Sequence, residues 1–353
     1  MTNKIIITAF CCLATLSASA QHIEAKSHVI NLGQVAFRQP VVAEYELHNK
    51  SSHATKIWKV YTSCGCTTAD YPKDNIQGGA DFTLRVTYDA NQMGHFEKEI
   101  AVYTNNGINP LVLTLKGIVV EEVVDYIGDF PFQLGELKVD QKIIEFDDVN
   151  RGDRPMAKIH ILNNTNETVE PIIMHQPDYL EAEVSPSKIM PGRSGVAIFT
   201  LNSHNVKDFG LTQTSVYLGK MPGDRVAANK EIPISAVLLP SFSDLTDQQL
   251  ASAPQITLST TSLNLGPFKG KKKLKGEIDI QNTGRSTLDI SQLQMYTTGL
   301  QVLLSQRKIE PGEYAKLKIT ALGKDFRLAR NPRILMITND PDHPKVIIEV
   351  KAE

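Results

Sequence analysis

Glu44-Tyr45-Glu46-Leu47-His48-Asn49 alternates polar and apolar residues and ends on an asparagine. The same form returns at Lys158-Ile159-His160-Ile161-Leu162-Asn163 and at Glu277-Ile278-Asp279-Ile280-Gln281-Asn282. Alternation with period two describes a strand that buries one face. Working outward from each asparagine, a turn-like stretch lies sixteen residues upstream: Leu32-Gly33-Gln34-Val35, Phe146-Asp147-Asp148-Val149 and Leu265-Gly266-Pro267-Phe268. Ten residues before Gly33, Asp147 and Gly266 stand apolar Ile23, Leu137 and Ile256. Turn glycines follow 29 or 30 residues downstream, in Gln77-Gly78-Gly79, Pro191-Gly192-Arg193 and Pro311-Gly312-Glu313. A last turn falls 56 or 57 residues after each asparagine, at Asn105, Gly219 and Asn339. Five landmarks that keep register three times mark an internal repeat.

Each unit reads as short alternating strands broken by turn residues, the pattern of a two-sheet sandwich. The predicted fold is all-β, three sandwiches in series over residues 21–120, 135–240 and 254–353. Residues 121–134 and 241–253 are expected as linkers. The second starts with helix-initiating Asp244, runs through Gln248-Gln249-Leu250-Ala251 and stops at Pro254, which predicts a short helix. Residues 1–20 are expected to be a cleaved signal peptide, with Lys4, the apolar run Ile5–Ala14 and the small-residue site Ala18-Ser19-Ala20. That places the mature chain in the periplasm, at the cell surface or outside, without a membrane span.

The composition excludes several classes. With 41% hydrophobic and 22% charged residues the chain is globular rather than disordered. Its 37 basic and 39 acidic residues give a net charge of -2, unlike a dedicated nucleic-acid binder. No H-E-x-x-H or G-x-S-x-G motif occurs in the sequence. Gly266-Pro267-Phe268-Lys269-Gly270-Lys271 lacks the phosphate-loop spacing and the Ser or Thr after lysine. Neighbours such as Asp147 and Asp148 point to opposite faces of a strand, which argues against a shared carboxylate site. The expectation is a non-enzymatic chain.

Cys64-Gly65-Cys66 is the unusual chemistry of the sequence. Residues i and i+2 of an extended segment share a side, so the two sulfurs can meet. A fully extended backbone would hold the Cα atoms about 6.5–7 Å apart, so Gly65 is expected to curl the segment for a disulfide to close. Three readings stay open: a local disulfide or buried thiol pair that shapes a strand end, a redox-active pair, and a soft Cu(I) site. For copper, Met93 and His95 are the candidate further ligands. The absence of C-x-x-C spacing argues against structural zinc. Scattered histidines, among them His48 and His160, read as solvated. Lys269, Lys271, Lys272, Lys273 and Lys275 form one dense basic run, read as a solvated edge or a patch for an anionic glycan, a phosphate-bearing lipid or an acidic partner.

Tyr61-Thr62-Ser63-Cys64-Gly65-Cys66-Thr67-Thr68, Gly78-Gly79, Leu84-Arg85-Val86-Thr87-Tyr88-Asp89, Gly94-His95-Phe96 and Tyr103-Thr104-Asn105-Asn106 together resemble a secreted bacterial Ig-like domain family with an S-C-G-C-T motif. That family looks like a bacterial branch of the group holding major sperm protein and hydin-type domains. The resemblance covers residues 23–120 and implies an immunoglobulin-like fold and an exported, non-enzymatic role, without supplying a ligand. The expectation for the whole chain is a binding or scaffold role whose partner is an envelope protein or glycan. The other two units depart from the motif, carrying Met174-His175-Gln176-Pro177 and Met295-Tyr296-Thr297-Thr298 at that place.

Overall fold

A computed structural model describes residues 23–105, 107, 109–124, 126–296, 298–326 and 332–352. The expected signal peptide lies outside the described residues. The chain divides into two compact units, residues 1–124 and 125–353.

The first unit is a sandwich. One sheet places Ile23–Ala25, Val41–Asn49, Asp81–Tyr88 and Thr67–Asp70 side by side, and the other Val29–Ala36, Leu111–Val120, Gly94–Thr104 and Ile57–Thr62. Alternate residues of both sheets, including Ala43, Tyr45, Leu47, Ile100, Val102, Leu113 and Leu115, bury into one core. Burying a Leu or Val this way contributes about 1.5–3 kcal/mol each. The Tyr45 hydroxyl crosses that core and donates to the Thr114 carbonyl of the facing sheet at 2.7 Å. Burial pushes its phenol well above the ordinary tyrosine range.

The opening segment serves both sheets. Ile23–Ala25 pairs antiparallel with Val41–Asn49, then Val29–Ala36 joins the other sheet parallel to the last strand, Leu111–Val120. The turn expected around Gly33 is instead a bulge inside Val29–Ala36, between Asn31 and Gln34. Gly33 takes φ +66° there, a left-handed conformation cheap only for glycine, and its N–H donates to Asn31 Oδ1 at 2.9 Å. The glycine–asparagine contact recurs at Gly266, just past the strand Ser262–Asn264, with φ +71° and a 2.9 Å bond to Asn264 Oδ1, while the bulge recurs between Phe146 and Asp148.

The three asparagines explain the long-range spacing. Asn49, Asn163 and Asn282 are each fully buried. Asn49 Nδ2 donates to the carbonyls of His53, Ile76 and Gln77, all at 3.0 Å, while its Oδ1 accepts from Ser51. Asn163 Nδ2 donates to Glu167 and Ile189, and Oδ1 accepts from Thr165. Asn282 Nδ2 donates to Ser286 and Ile309, and Oδ1 accepts from the Gly284 N–H. Each asparagine carbonyl also accepts from the downstream turn glycine, Gly79, Gly192 or Gly312, at 2.8 Å. One side chain thus ties its own loop to a turn about thirty residues away, which fixes the interval. A buried amide with every polar atom paired is tolerated where an unpaired one is costly.

The second unit holds two sandwich cores. Around the first, Leu180–Ser185, Ser194–Leu201, Met156–Leu162, Leu137–Val139 and Phe132–Leu134 form one sheet, and Ile144–Asn150, Glu231–Leu239, Gly210–Gly219 and Ile172–Met174 the other. Around the second, Ile256–Leu258, Lys273–Asn282, Tyr314–Leu322 and Leu300–Leu304 face Ser262–Asn264, Lys345–Lys351, Arg333–Thr338, Leu288–Met295 and Lys308–Ile309. The span read as the linker 121–134 contains the strand Phe132–Leu134, hairpinned onto Leu137–Val139 through Gly135 at φ +59°. The short helix is Asp247–Ala251, and its cap is Thr246 in a capping box with Gln249 rather than Asp244.

The second and third sandwiches share one compact unit. Leu335 and Ile337 of the strand Arg333–Thr338 are completely buried against Leu239, with Phe209, Leu211 and Val237 packed beside them. The Gln294 amide grips the Leu211 backbone, and Lys345 Nζ reaches Asp148 Oδ1 at 2.6 Å.

Candidate functional site

The strand Ile57–Thr62 is the last of its sheet and Thr67–Asp70 the last of the facing one, so Ser63–Cys66 is the crossover between two edge strands. The structure closes Cys64 and Cys66 into a disulfide with Cα atoms 5.3 Å apart. That is shorter than the extended reach, so the segment does curl. Gly65 is not curled through a positive φ, against expectation, and a Cβ there would meet no atom within 4 Å. Hydrogen bonds bend the segment instead. Thr62 Oγ1 donates to the carbonyls of Cys64 at 3.2 Å and Thr67 at 3.0 Å, and the Thr67 N–H closes back on the Cys64 carbonyl. Ser63 pairs with Glu99 through its N–H and, as acceptor, through Oγ at 3.1 Å.

Both cysteines are half-buried, and Cys66 packs against the core. Thr67, the last residue of the motif, is 3% exposed and its Oγ1 lies 3.4 Å from Cys64 Sγ and 3.8 Å from Cys66 Sγ. Sequence reasoning did not single out Thr67. Its place beside the second cysteine was visible, but not the inward turn of its side chain.

The second unit changes sheet at corresponding places, between Ile172–Met174 and Leu180–Ser185 and between Leu288–Met295 and Leu300–Leu304. At the first, His175 adopts φ +61° and the Gln176 side chain bridges the Ile173 carbonyl and the Ala182 N–H. Each makes the same change of sheet without cysteine.

Met93 is 50% exposed just before the strand Gly94–Thr104, and exposed His95 lies within that strand opposite Ile118. Among the described residues no group of three or more His, Cys, Asp or Glu side chains is placed to hold a metal. As a disulfide the pair offers no thiolate to a soft ion. The five lysines lie in the second unit and are all exposed. Their turn is anchored by buried Phe268, with Lys269 at φ +42°, and Lys273 and Lys275 project from the strand Lys273–Asn282. Two histidines read as solvated have partners: His48 Nδ1 lies 2.7 Å from Asp81, and His160 lies 2.7 Å from Asp140 with the Tyr126 ring stacked on it at 3.7 Å.

The outward face beside the disulfide is aromatic. Trp58 is 61% and Tyr61 55% exposed, and Trp58 stacks at a tilt on Tyr103, 5.7 Å between centroids. Register continues this strip across the sheet, with Tyr61 opposite Ala101 and Ala101 opposite the exposed Val112. Trp58 sits in a bulge between Ile57 and Lys59, a device that keeps open edges from pairing indiscriminately. No described helix is long and apolar enough to cross a membrane.

Residues 23–119 match a family described as a protein of unknown function (DUF1573), and residues 254–353 match the HYDIN/CFA65/VesB-like Ig-like domain. No curated protein matches the chain. A solved protein of unknown function from Porphyromonas gingivalis W83 is 20% identical and aligns over 62% of this chain and 100% of its own, with a TM-score of 0.51. That likeness concerns the fold alone. More distant are PapD-like domain 7 of human CEP192, at 10% identity, 35% and 99% coverage and TM-score 0.27, and the VesB protease of Vibrio cholerae, at 14%, 28% and 32% and TM-score 0.24. The fold is therefore all-β and immunoglobulin-like.

Proposed function

We propose that this chain is an exported, non-enzymatic binding or scaffold protein of a bacterial envelope, built from three Ig-like repeats. The carrying observation is the aromatic strip on the first repeat, where exposed Trp58 and Tyr61, with half-buried Tyr103 against Trp58, lie beside a free sheet edge. Exposed Trp and Tyr on a rigid sheet are the side chains that anchor interfaces, because they bury large area with little entropy to lose. The three asparagine-centred networks support a threefold repeat, and the amino-terminal sequence supports export. The partner is an envelope protein or glycan that lies across the sheet.

The test is photo-cross-linking of the tagged full chain in its own envelope, compared with Trp58→Ala plus Tyr61→Ala. The expected result is a specific adduct that the double variant loses while keeping its fold by circular dichroism. An adduct unchanged by the double variant, or substrate turnover that depends on a residue outside both this face and the Cys64–Cys66 pair, overturns the reading.

A further inference from the structure

The disulfide stands where the other two crossovers manage without one, and it closes a ring of only three residues. Loop closure that short constrains the unfolded chain very little, so stability does not account for it. Next to it is a buried hydroxyl: among the described residues, Thr67 Oγ1 has the two sulfurs as its hydrogen-bond partners. Disulfide sulfur is a weak acceptor, whereas a thiolate is a strong, charged one. The site is better satisfied once the bond is broken.

We propose that Cys64–Cys66 is a thiol–disulfide exchange site for a dithiol, with the Thr67 hydroxyl stabilising the thiolate that exchange releases. This does not rest on the binding role above. Both cysteines are half-buried, but Cys66 packs against the core and Cys64 does not, so an incoming thiolate meets Cys64 Sγ. Attack there forms a bond between the donor sulfur and Cys64 and breaks the Cys64–Cys66 bond. Cys66 leaves as a thiolate and accepts the Thr67 O–H. The donor's second thiol, having lost its proton to water, attacks the donor sulfur of the mixed disulfide and expels Cys64 as a thiolate. The dithiol ends as a disulfide, and its two electrons reside on the cysteine pair, which takes protons from solvent.

The test uses the full chain equilibrated in graded mixtures of reduced and oxidised dithiothreitol. After alkylation, the peptide holding residues 64 and 66 is read by mass spectrometry. Thr67→Val keeps the shape and removes the hydroxyl, and should shift the exchange constant toward the disulfide about tenfold. Thr67→Ser, which keeps the hydroxyl, should behave as wild type. A merely structural threonine would lower the melting temperature of the valine variant and leave its exchange constant unchanged. That result, or a native disulfide that dithiothreitol does not reduce, overturns the proposal. Should Thr67→Val fail to fold, the pH dependence of alkylation in the reduced wild type decides. A midpoint below about 8.5, the ordinary thiol value, supports the site, and one at or above it overturns the site.

Discussion

The side-chain amide of Gln294 bonds to both backbone groups of Leu211, accepting from the N–H at 2.7 Å and donating to the carbonyl at 3.1 Å. An amide used this way acts as one residue of an extra strand. Gln34 does the same to Val124 in the first unit, at 3.1 and 3.2 Å, holding the end of that unit against its bulged strand.

Gln294→Ala is expected to weaken the second unit by about 1–3 kcal/mol, since two half-buried backbone groups lose their partners together. Calorimetry on the full chain should show one joint transition for these two sandwiches in wild type, and in the variant the sandwich around Ile278 melting apart from the one around Ile161. A single joint transition in the variant would mean that the apolar contact of Leu335 and Ile337 suffices alone.

Asn282→Ala leaves the Ser286 and Ile309 carbonyls and the Gly284 N–H without that partner in a buried place. The expected loss is about 3 kcal/mol, against less than about 0.5 kcal/mol for exposed Gln301→Ala. Asn282→Asp should cost nearly as much, because it keeps the acceptor but loses both donated bonds. Urea unfolding of the three variants checks the order.

Asp224 gives a pH signature. A hydrogen bond from Lys230 Nζ at 2.7 Å, then backbone N–H groups of Lys220 and Arg225, hold its carboxyl below the usual aspartate range. A lowered folded-state value stabilises the native state above the unfolded value of about 3.9, and that contribution disappears as pH falls through the folded value. Wild type should therefore outmelt Asp224→Asn at pH 7, with the gap closing in acid below the carboxylate range. A gap that persists unchanged at about pH 2 would show that the loop's stability does not depend on this charge.

The strands were legible because each buries one face and alternates, and the repeat because Asn49, Asn163 and Asn282 must each reach a turn glycine. The bulge at Gly33 was mistaken for a turn, since both need a glycine at positive φ and only pairing distinguishes them. The docking of the second and third sandwiches did leave a trace. Ile334-Leu335-Met336-Ile337 is apolar without alternation, as a strand buried on both faces must be. At the crossover, Cys64 and Cys66 were visible by chemistry, but the bend came from Thr62 and Thr67 hydrogen bonds rather than from Gly65. Such bonds depend on where side chains point, which residue order does not state.

The parallel pairing of Val29–Ala36 with Leu111–Val120 has a mechanical side. One strand follows the start of the first unit and the other precedes its end, and both run the same way. Tension applied to the two ends of this unit pulls the neighbours in opposite directions along their length. The hydrogen bonds between them are then loaded in shear, all together, instead of being peeled one after another. A sandwich threaded in this way resists being pulled open from its ends, whatever it is fastened to.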